Sequence, residues 1–413
     1  MTRPENWAQN HHFIAGAIYR PVSTDALRHL VARAPHIHAI GSRHSFNGVA
    51  DSPGVLVDLA DMPADIVVDA AGRTVTAGAA VSYGALAAHL EALGWALHNM
   101  ASLPQISLVG AVATGTHGSG DRLGTLSSAV AALEMVTAGG DLVTVRRGDR
   151  GFDGMVVGLG AFGIVTRVTL DIEPSYRMRQ DAYEGLSWQA VLEDFDAVMG
   201  AGTSVSLFTM WGGPVVDRAR VKTRLGADVA PAAFAGGTAG AYPPDLASAD
   251  HLRFSTPFGV AGPWSERLVH MRMEFHQTRH LQSEYLVPRS AATAAMVLLR
   301  NLGGRIDPQL RITEIRSMAA DRLWLSPAFG ADTVGLHFSW EAFDVPAVLG
   351  LCAEIEDLLR PLGGRPHWGK VVFGEAAELA ALYPRMADFR ALAMQFDPAG
   401  KFRNAFLDRH VFG

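Results

Sequence analysis

Hydrophobic and polar positions alternate with a period near two in several short stretches of the first 175 residues. Residues 54–59 (GVLVDL), 66–69 (IVVD) and 74–79 (TVTAGA) are rich in β-branched residues and separated by Asp, Pro and Gly, which predicts three strands joined by turns. At Ser82 the spacing becomes helical: 81–97 (VSYGALAAHLEALGWAL) predicts a helix with Ser82 as its N-cap. Residues 129–138 and 141–147 predict two strands on either side of Gly139 and Gly140, a strong hairpin signal. From 226 to 245, Ala, Gly and Pro recur without a period, which predicts a long loop.

Three stretches further along also read as strands, and each carries unusual polar groups on one side. Side chains on a strand point alternately to its two faces. Gln282 and Glu284 therefore share a side of 281–287 (LQSEYLV), and Glu314 and Arg316 share a side of 311–318 (RITEIRSM). In 335–340 (GLHFSW), His337 and Ser339 share a side opposite Leu336, Phe338 and Trp340. A solvated sheet face and a polar site both satisfy this pattern.

A chain of 413 residues holds two or three domains at roughly 100–200 residues each. Its composition is that of a globular protein, and a net charge of -6 supplies no field for nucleic acid or anionic lipid. A small neutral or cationic partner fits better. The single cysteine, Cys352, sits at helical spacing in 349–359 (LGLCAEIEDLL) as a core thiol, which suits a reducing compartment. No apolar leader follows Met1 and no apolar run nears the roughly 18 residues of a membrane span. A soluble, cytoplasmic monomer is expected.

Four motifs bear on chemistry. In 39–48 (AIGSRHSFNG), His44 lies between Arg43 and Ser45 in a glycine-bounded turn. A tight turn with an exposed imidazole accounts for it, and so does a loop that holds a phosphate or cofactor. Residues 101–120 (ASLPQISLVGAVATGTHGSG) mix glycines with hydroxyl residues, which suits a pyrophosphate and equally a glycine-rich surface loop. Residues 158–163 (GLGAFG) have the dinucleotide-binding form, but that motif needs a helix to follow, and IVTRVTLDI alternates like a strand. The stretch is thus a turn entering a strand, and a nicotinamide cofactor is a minor alternative. His11, His12, His36, His38 and His117 have no spacing of a closed metal site, so no metal is expected.

Together, GSRHSF, LVGAVATGTHGSG, GLGAFGIVT and the C-terminal FDPAGKFRN resemble, in order and spacing, the vanillyl-alcohol oxidase family of FAD-linked oxidases. Within that family the alditol oxidases, also called xylitol oxidases, are most similar, with aldonolactone oxidases as relatives. The resemblance runs from about His12 to the C-terminus and implies an α+β, two-domain flavoprotein. An FAD-binding domain over 1–175 is completed by 376–413, and a substrate domain of antiparallel sheet and helices spans 176–375. The implied reaction oxidises the terminal hydroxymethyl of a sugar alcohol to the aldose, with dioxygen reduced to hydrogen peroxide. Alternatives are an aldonolactone oxidase, a dehydrogenase with another acceptor, or a flavin-binding protein without activity.

The resemblance also assigns residues. His44 carries FAD through a covalent bond to the C8 methyl of the isoalloxazine, with Gly41, Ser42, Arg43 and Ser45 around it. Ser107, Val109, Gly110, Ala113, Gly115, Thr116, His117, Gly118, Gly163 and Ile164 contact the cofactor. Ala101 is the small residue beside flavin C4a that governs dioxygen access. Ser102, Gln282, Glu314, Arg316 and Ser339 bind the polyol, Ser339 standing where close relatives are expected to have threonine. Lys370, at the flavin's reactive edge, and His337 form the acid–base and electrostatic core. With its only cysteine far along the chain, the protein is not expected to add a second, cysteinyl link.

Overall fold

The computed structural model describes residues 4–227, 230–240, 256–269, 280–341 and 343–413. Strands Ala17–Tyr19, Val55–Asp58 and Ile37–Ile40 form a parallel sheet in that spatial order. Parallel strands need a crossover, and helix Thr24–Arg33 provides one. Ser23 caps it by accepting from the Ala26 N–H, and its Leu27 and Val31 pack with Ile37 and Val57. The strand Ile37–Ile40 ends at the loop that carries His44.

The strand expected at 54–59 is the middle strand of this parallel sheet, whereas those expected at 66–69 and 74–79 and the expected hairpin fall in a second sheet, antiparallel and five-stranded. Its order is Ile66–Asp69, Thr74–Gly78, Ile164–Asp171, Val130–Val136 and Leu142–Arg146. The hairpin turns at Gly140, whose φ of +86° a side chain strains. Ser82 caps helix Tyr83–Ala92 as expected, its hydroxyl accepting from Ala85 N–H at 3.2 Å. The helix is shorter than the expected 81–97: Gly94 turns the chain at φ +76°, and Trp95–Ala96 pairs as a strand with Glu173–Pro174. The GLGAFG stretch is a turn, with Leu159 at φ +51° and Gly160 at φ +80°, and it feeds the strand Ile164–Asp171. Buried and half-buried residues alternate along that whole strand.

The third sheet is the largest. Arg177–Ser187, Val215–Arg224, Ser204–Thr209, Leu310–Met318, Thr333–Glu341 and His280–Pro288 lie antiparallel in that order. One face carries Leu281, Tyr285, Ile315, Leu336, Phe338 and Trp340 and packs on helices Ala292–Asn301 and Val345–Leu359. Each large apolar side chain so buried contributes about 1.5–3 kcal/mol. Cys352 lies in this core, where burial pushes its thiol up to about 12. The opposite face carries the polar residues.

The loop expected over 226–245 differs from that reading where it is described. Ala235 and Gly236, both at positive φ, reverse the chain, and Thr238–Ala239 pairs with Tyr183 and Glu184 at the sheet edge. A small-residue stretch without a period thus hides an edge strand, because two residues are too few to show alternation. Residues 228–229 and 241–245 of the expected loop lie outside the described residues.

The C-terminal FDPAGKFRN stretch fastens the first sheet. Asp397 accepts from the N–H groups of Lys401 (2.9 Å) and Phe402 (2.7 Å). Lys401 Nζ donates to the carbonyls of Val31 (2.6 Å) and Ala138 (2.7 Å). Asn404 Nδ2 donates to those of Val49 (3.0 Å) and Asp51 (2.8 Å), just beyond the His44 loop.

Candidate active site

A cavity of about 660 Å³ runs between the His44 loop, the glycine-rich segment and the polar face of the large sheet. That volume falls within the roughly 300–1,000 Å³ of small-molecule sites. Its wall takes in Gly41, Ser42, Arg43, His44 and Ser45; Ala101, Ser102, Ser107, Val109, Gly110, Ala113, Thr116 and His117; and Gly163 and Ile164. Gln282, Glu314, Arg316, His337, Ser339 and Lys370 line it as well. Gly115 and Gly118 lie off this wall. A Cβ at Gly115 would sit 2.8 Å from Pro327, and one at Gly118 would sit 2.2 Å from Asn99 Oδ1. Their small size serves packing on the side away from the cavity.

The His44 loop is knitted to the glycine-rich segment by a reciprocal pair. Ser107 N–H donates to Ser42 Oγ (3.1 Å), and Ser42 N–H donates to Ser107 Oγ (3.4 Å). A Cβ at Gly41 would sit 2.2 Å from Ser107 Oγ, so only glycine allows this approach. Asn47 Nδ2 ties the loop to the Lys370 turn through the carbonyls of Trp368 (2.8 Å) and Lys370 (2.6 Å). Neither ring nitrogen of His44 closes a hydrogen bond. Burial pushes its pKa down to about 4, helped by the charge of Lys370 and opposed by the nearby Ser42 carbonyl. His44 is therefore a neutral imidazole at pH 7, facing the cavity with unused lone-pair capacity.

The polar wall follows from strand register. Gln282 is paired with Ser339, while Glu284 and Glu314 flank His337 from the two neighbouring strands. The Gln282 side-chain carbonyl accepts from Lys370 Nζ and from His337 Nε2 (3.2 Å). With Nε2–H so committed, His337 keeps its lone pair on Nδ1, which has no partner. Burial pushes the His337 pKa down to about 3 and that of Lys370 down to about 8. At neutral pH the site thus places an ammonium beside a neutral imidazole.

Behind this pair lies a buried charge cluster. Glu284 Oε1 is 2.7 Å from Arg316 Nη2 and 3.1 Å from His117 Nε2. Arg316 also donates to Ser102 Oγ (3.3 Å) and lies 3.8 Å from Glu314. Burial alone would raise the Glu284 pKa, but Arg316 and His117 outweigh it and hold the carboxyl well below the usual range. Ligand atoms of His117, Glu284 and His367 lie within 4.8 Å of one another. The Arg316 guanidinium occupies the same carboxylate oxygen, which opposes a divalent cation there.

Comparison with known proteins gives the family. The family described as FAD binding domain matches residues 15–146, and that described as D-arabinono-1,4-lactone oxidase matches 265–410. The alditol oxidase of Streptomyces sp. (strain IKD472 / FERM P-14339) is 43% identical over 412 residues, 98% of each chain. The chain belongs to the alditol oxidase family of FAD-linked oxidases. L-gulono-1,4-lactone dehydrogenase of Mycobacterium tuberculosis is more distant, at 28% identity over 99% of this chain and 98% of its own. The crystal structure of cholesterol oxidase from Brevibacterium sterolicum shares the fold, with a TM-score of 0.81 at 18% identity, covering 99% of this chain and 96% of its own. No helix among the described residues is long and apolar enough to cross a membrane.

The cofactor of this alditol oxidase family member is FAD, and the residues present fit it. The cavity has room, a glycine-lined approach at Gly41, and in His44 an unpartnered, neutral imidazole. Several site residues escaped the sequence reading. Glu284 was legible as the neighbour of Gln282 on one strand face, but its burial between Arg316 and His117 was not. His367, three residues before Lys370, and Asn47, three after His44, had proximity as their only signal. Trp7 stacks on His44 at 5.1 Å and had none.

Proposed function

We propose that this FAD-dependent enzyme oxidises the terminal CH2OH of an alditol such as xylitol or sorbitol to the aldose, with dioxygen reduced to hydrogen peroxide. The reading is carried by the convergence of Lys370, His337 and Gln282 with Glu314, Arg316, Ser339 and Ser102 on the cavity that also takes in His44. Bound FAD supplies the two-electron acceptor for the hydride and the route of its electrons to dioxygen. Hydride leaves carbon easily only as the hydroxyl loses its proton, so negative charge builds on that oxygen. Lys370 stabilises this charge as an ammonium. His337 accepts the hydroxyl proton at Nδ1, its other nitrogen being held by Gln282.

A polyol carries a hydroxyl on every carbon. Each hydrogen bond adds only ~0.5–1.5 kcal/mol net, whereas a buried partner left unpaired costs about 1–3 kcal/mol. A wall of Gln282, Glu314, Arg316 and Ser339 therefore selects against simple alcohols. Peroxide production across a panel of alditols, aldonolactones and simple alcohols tests this. Alditols should give the highest kcat/KM. Preference for a lactone would move the enzyme to the aldonolactone oxidases, the reading favoured by the family match over 265–410.

The same reading makes His44 the covalent carrier of FAD, with the loop and glycine-rich residues on the cavity wall as its cradle. Its two unpartnered ring nitrogens and its neutrality support this. Acid-precipitated protein should stay yellow, since a covalent bond survives unfolding, and His44→Ala should release any flavin it binds. Colourless wild-type precipitate, with all flavin in the supernatant, would sink the assignment. The division into an FAD-binding unit (1–175 with 376–413) and a substrate unit (176–375) is part of this reading, supported by the separate core beneath the large sheet. So are a cytoplasmic location and a monomeric state, the former supported by the buried, unbridged Cys352.

Ala101 is buried and lines the cavity. As the gate for dioxygen, its replacement in Ala101→Val should slow flavin reoxidation by air roughly tenfold, since added methyl groups in a tight site cost about 1–3 kcal/mol. Reduction by alditol should change less. Unchanged reoxidation and unchanged peroxide yield would show that no gate exists there.

A further inference from the structure

A nucleophilic or ligating histidine is ordinarily aimed by a hydrogen bond to its second ring nitrogen. His44 has no such bond at either nitrogen, although its ring is largely enclosed. The Trp7 indole stacks on that ring, with centroids 5.1 Å apart and planes 22° apart, and the Ser42 carbonyl lies nearby. Trp7 is itself held on two sides. Its backbone N–H donates to the Arg43 carbonyl at 2.8 Å, and the His280 ring meets the indole edge-on at 5.2 Å.

The rest of this N-terminal segment grips the same loop. Asn6 Nδ2 donates to the Ser45 carbonyl (2.8 Å) and Asn10 Nδ2 to that of Phe46 (2.8 Å). Arg43, between the strand and His44, has φ +59°, a conformation that needs outside support in a residue with a Cβ. Three hydrogen bonds and one stacked ring therefore come from residues 6–10 to a loop more than thirty residues away in the chain.

We propose that Trp7 is the positioning residue for flavin attachment: its stacked indole holds the His44 ring in the plane from which a ring nitrogen bonds to the C8 methyl carbon of FAD. The proposal rests on the covalent reading of His44. The new N–C bond replaces one methyl C–H and one ring N–H. The two protons and two electrons released pass by way of the flavin to dioxygen, so that histidine, FAD and dioxygen give histidyl-FAD and hydrogen peroxide.

The test follows attachment, apart from turnover. Full-length protein produced without riboflavin is mixed aerobically with FAD, and flavin retained after acid precipitation is measured against time. Non-covalent FAD binding, read by quenching of flavin fluorescence, controls for folding. Trp7→Ala and Trp7→Leu should bind FAD yet attach it about tenfold more slowly, the upper range for one aromatic pair. Trp7→Phe, which keeps a flat ring, should attach it within about threefold of wild type. Equal attachment rates in wild type and Trp7→Ala, or loss of non-covalent binding in both the Ala and Leu variants, would overturn the role of Trp7 and leave His44 standing. Wild type that never retains flavin would overturn the covalent reading and this proposal together.

Discussion

Lys370→Ala is expected to fold, to bind FAD, and to be reduced by xylitol at least about a hundredfold more slowly than wild type. Lys370 lies in the turn after His367, its N–H bonded to that residue's carbonyl at 2.9 Å, and its ammonium donates to Gln282 and sits 4.9 Å over the Phe46 ring. Charged groups on every side act on it: Glu284 and Glu314 favour the ammonium, and Arg316 opposes it. Burial outweighs them and brings the pKa down to about 8. The cation is thus present below that pH and lost above it. Stopped-flow reduction of wild type should fall as pH rises through about 8, and the Ala variant should lack that limb. His337, already neutral from about 3 upward, adds no further step between pH 5 and 9. A folded Lys370→Ala reduced within a factor of about three of wild type would remove Lys370 from the mechanism. A rate that climbs through pH 8 would make it a base instead of a cation.

Glu284→Ala is expected to be the most destabilising single change at the site, costing about 3–5 kcal/mol. It removes the carboxylate bonded to Arg316 and leaves the buried guanidinium with Glu314, at 3.8 Å, as its remaining carboxylate. Gly335 lies within the same cluster, where a Cβ would come within 3.2 Å of Glu284 Oε1, so the space is fitted to the carboxylate. Because the Glu284 pKa is depressed, its contribution is full above the normal carboxylate range and is lost as pH falls below it. Denaturation midpoints of wild type should therefore drop on acidification, and those of Glu284→Ala should drop less. A variant within about 1 kcal/mol of wild type at pH 7 would mean that water screens the cluster.

Much of the site was legible because a strand's two-residue period survives in sequence. Gln282 with Glu284, Glu314 with Arg316, and His337 with Ser339 share faces, and the family resemblance puts all but Glu284 in the site. What alternation cannot show is which strands become neighbours. The sheet interleaves them, so that Leu310–Met318 lies between Ser204–Thr209 and Thr333–Glu341. Arg316 and Glu284 lie on the two strands that flank Thr333–Glu341 and meet across it beside Gly335, which has no side chain to part them. Glycine content marks a close approach but not its side, which is why Gly115 and Gly118 pack on Pro327 and Asn99 while Gly110 meets the cavity. The GLGAFG turn was readable because the β-branched run after it cannot begin a helix. Trp7 was not readable, since a lone aromatic in a polar segment carries no period.

On the proposed function, one cavity takes electrons from an alditol into FAD and returns them to dioxygen. Mixing the purified holoenzyme with xylitol in the absence of air, while recording the flavin band near 450 nm, tests it most directly. The band should bleach, and admitting air should restore it with one equivalent of hydrogen peroxide per flavin. A band left unbleached by xylitol and sorbitol alike, or one that bleaches and does not return in air, would contradict that function.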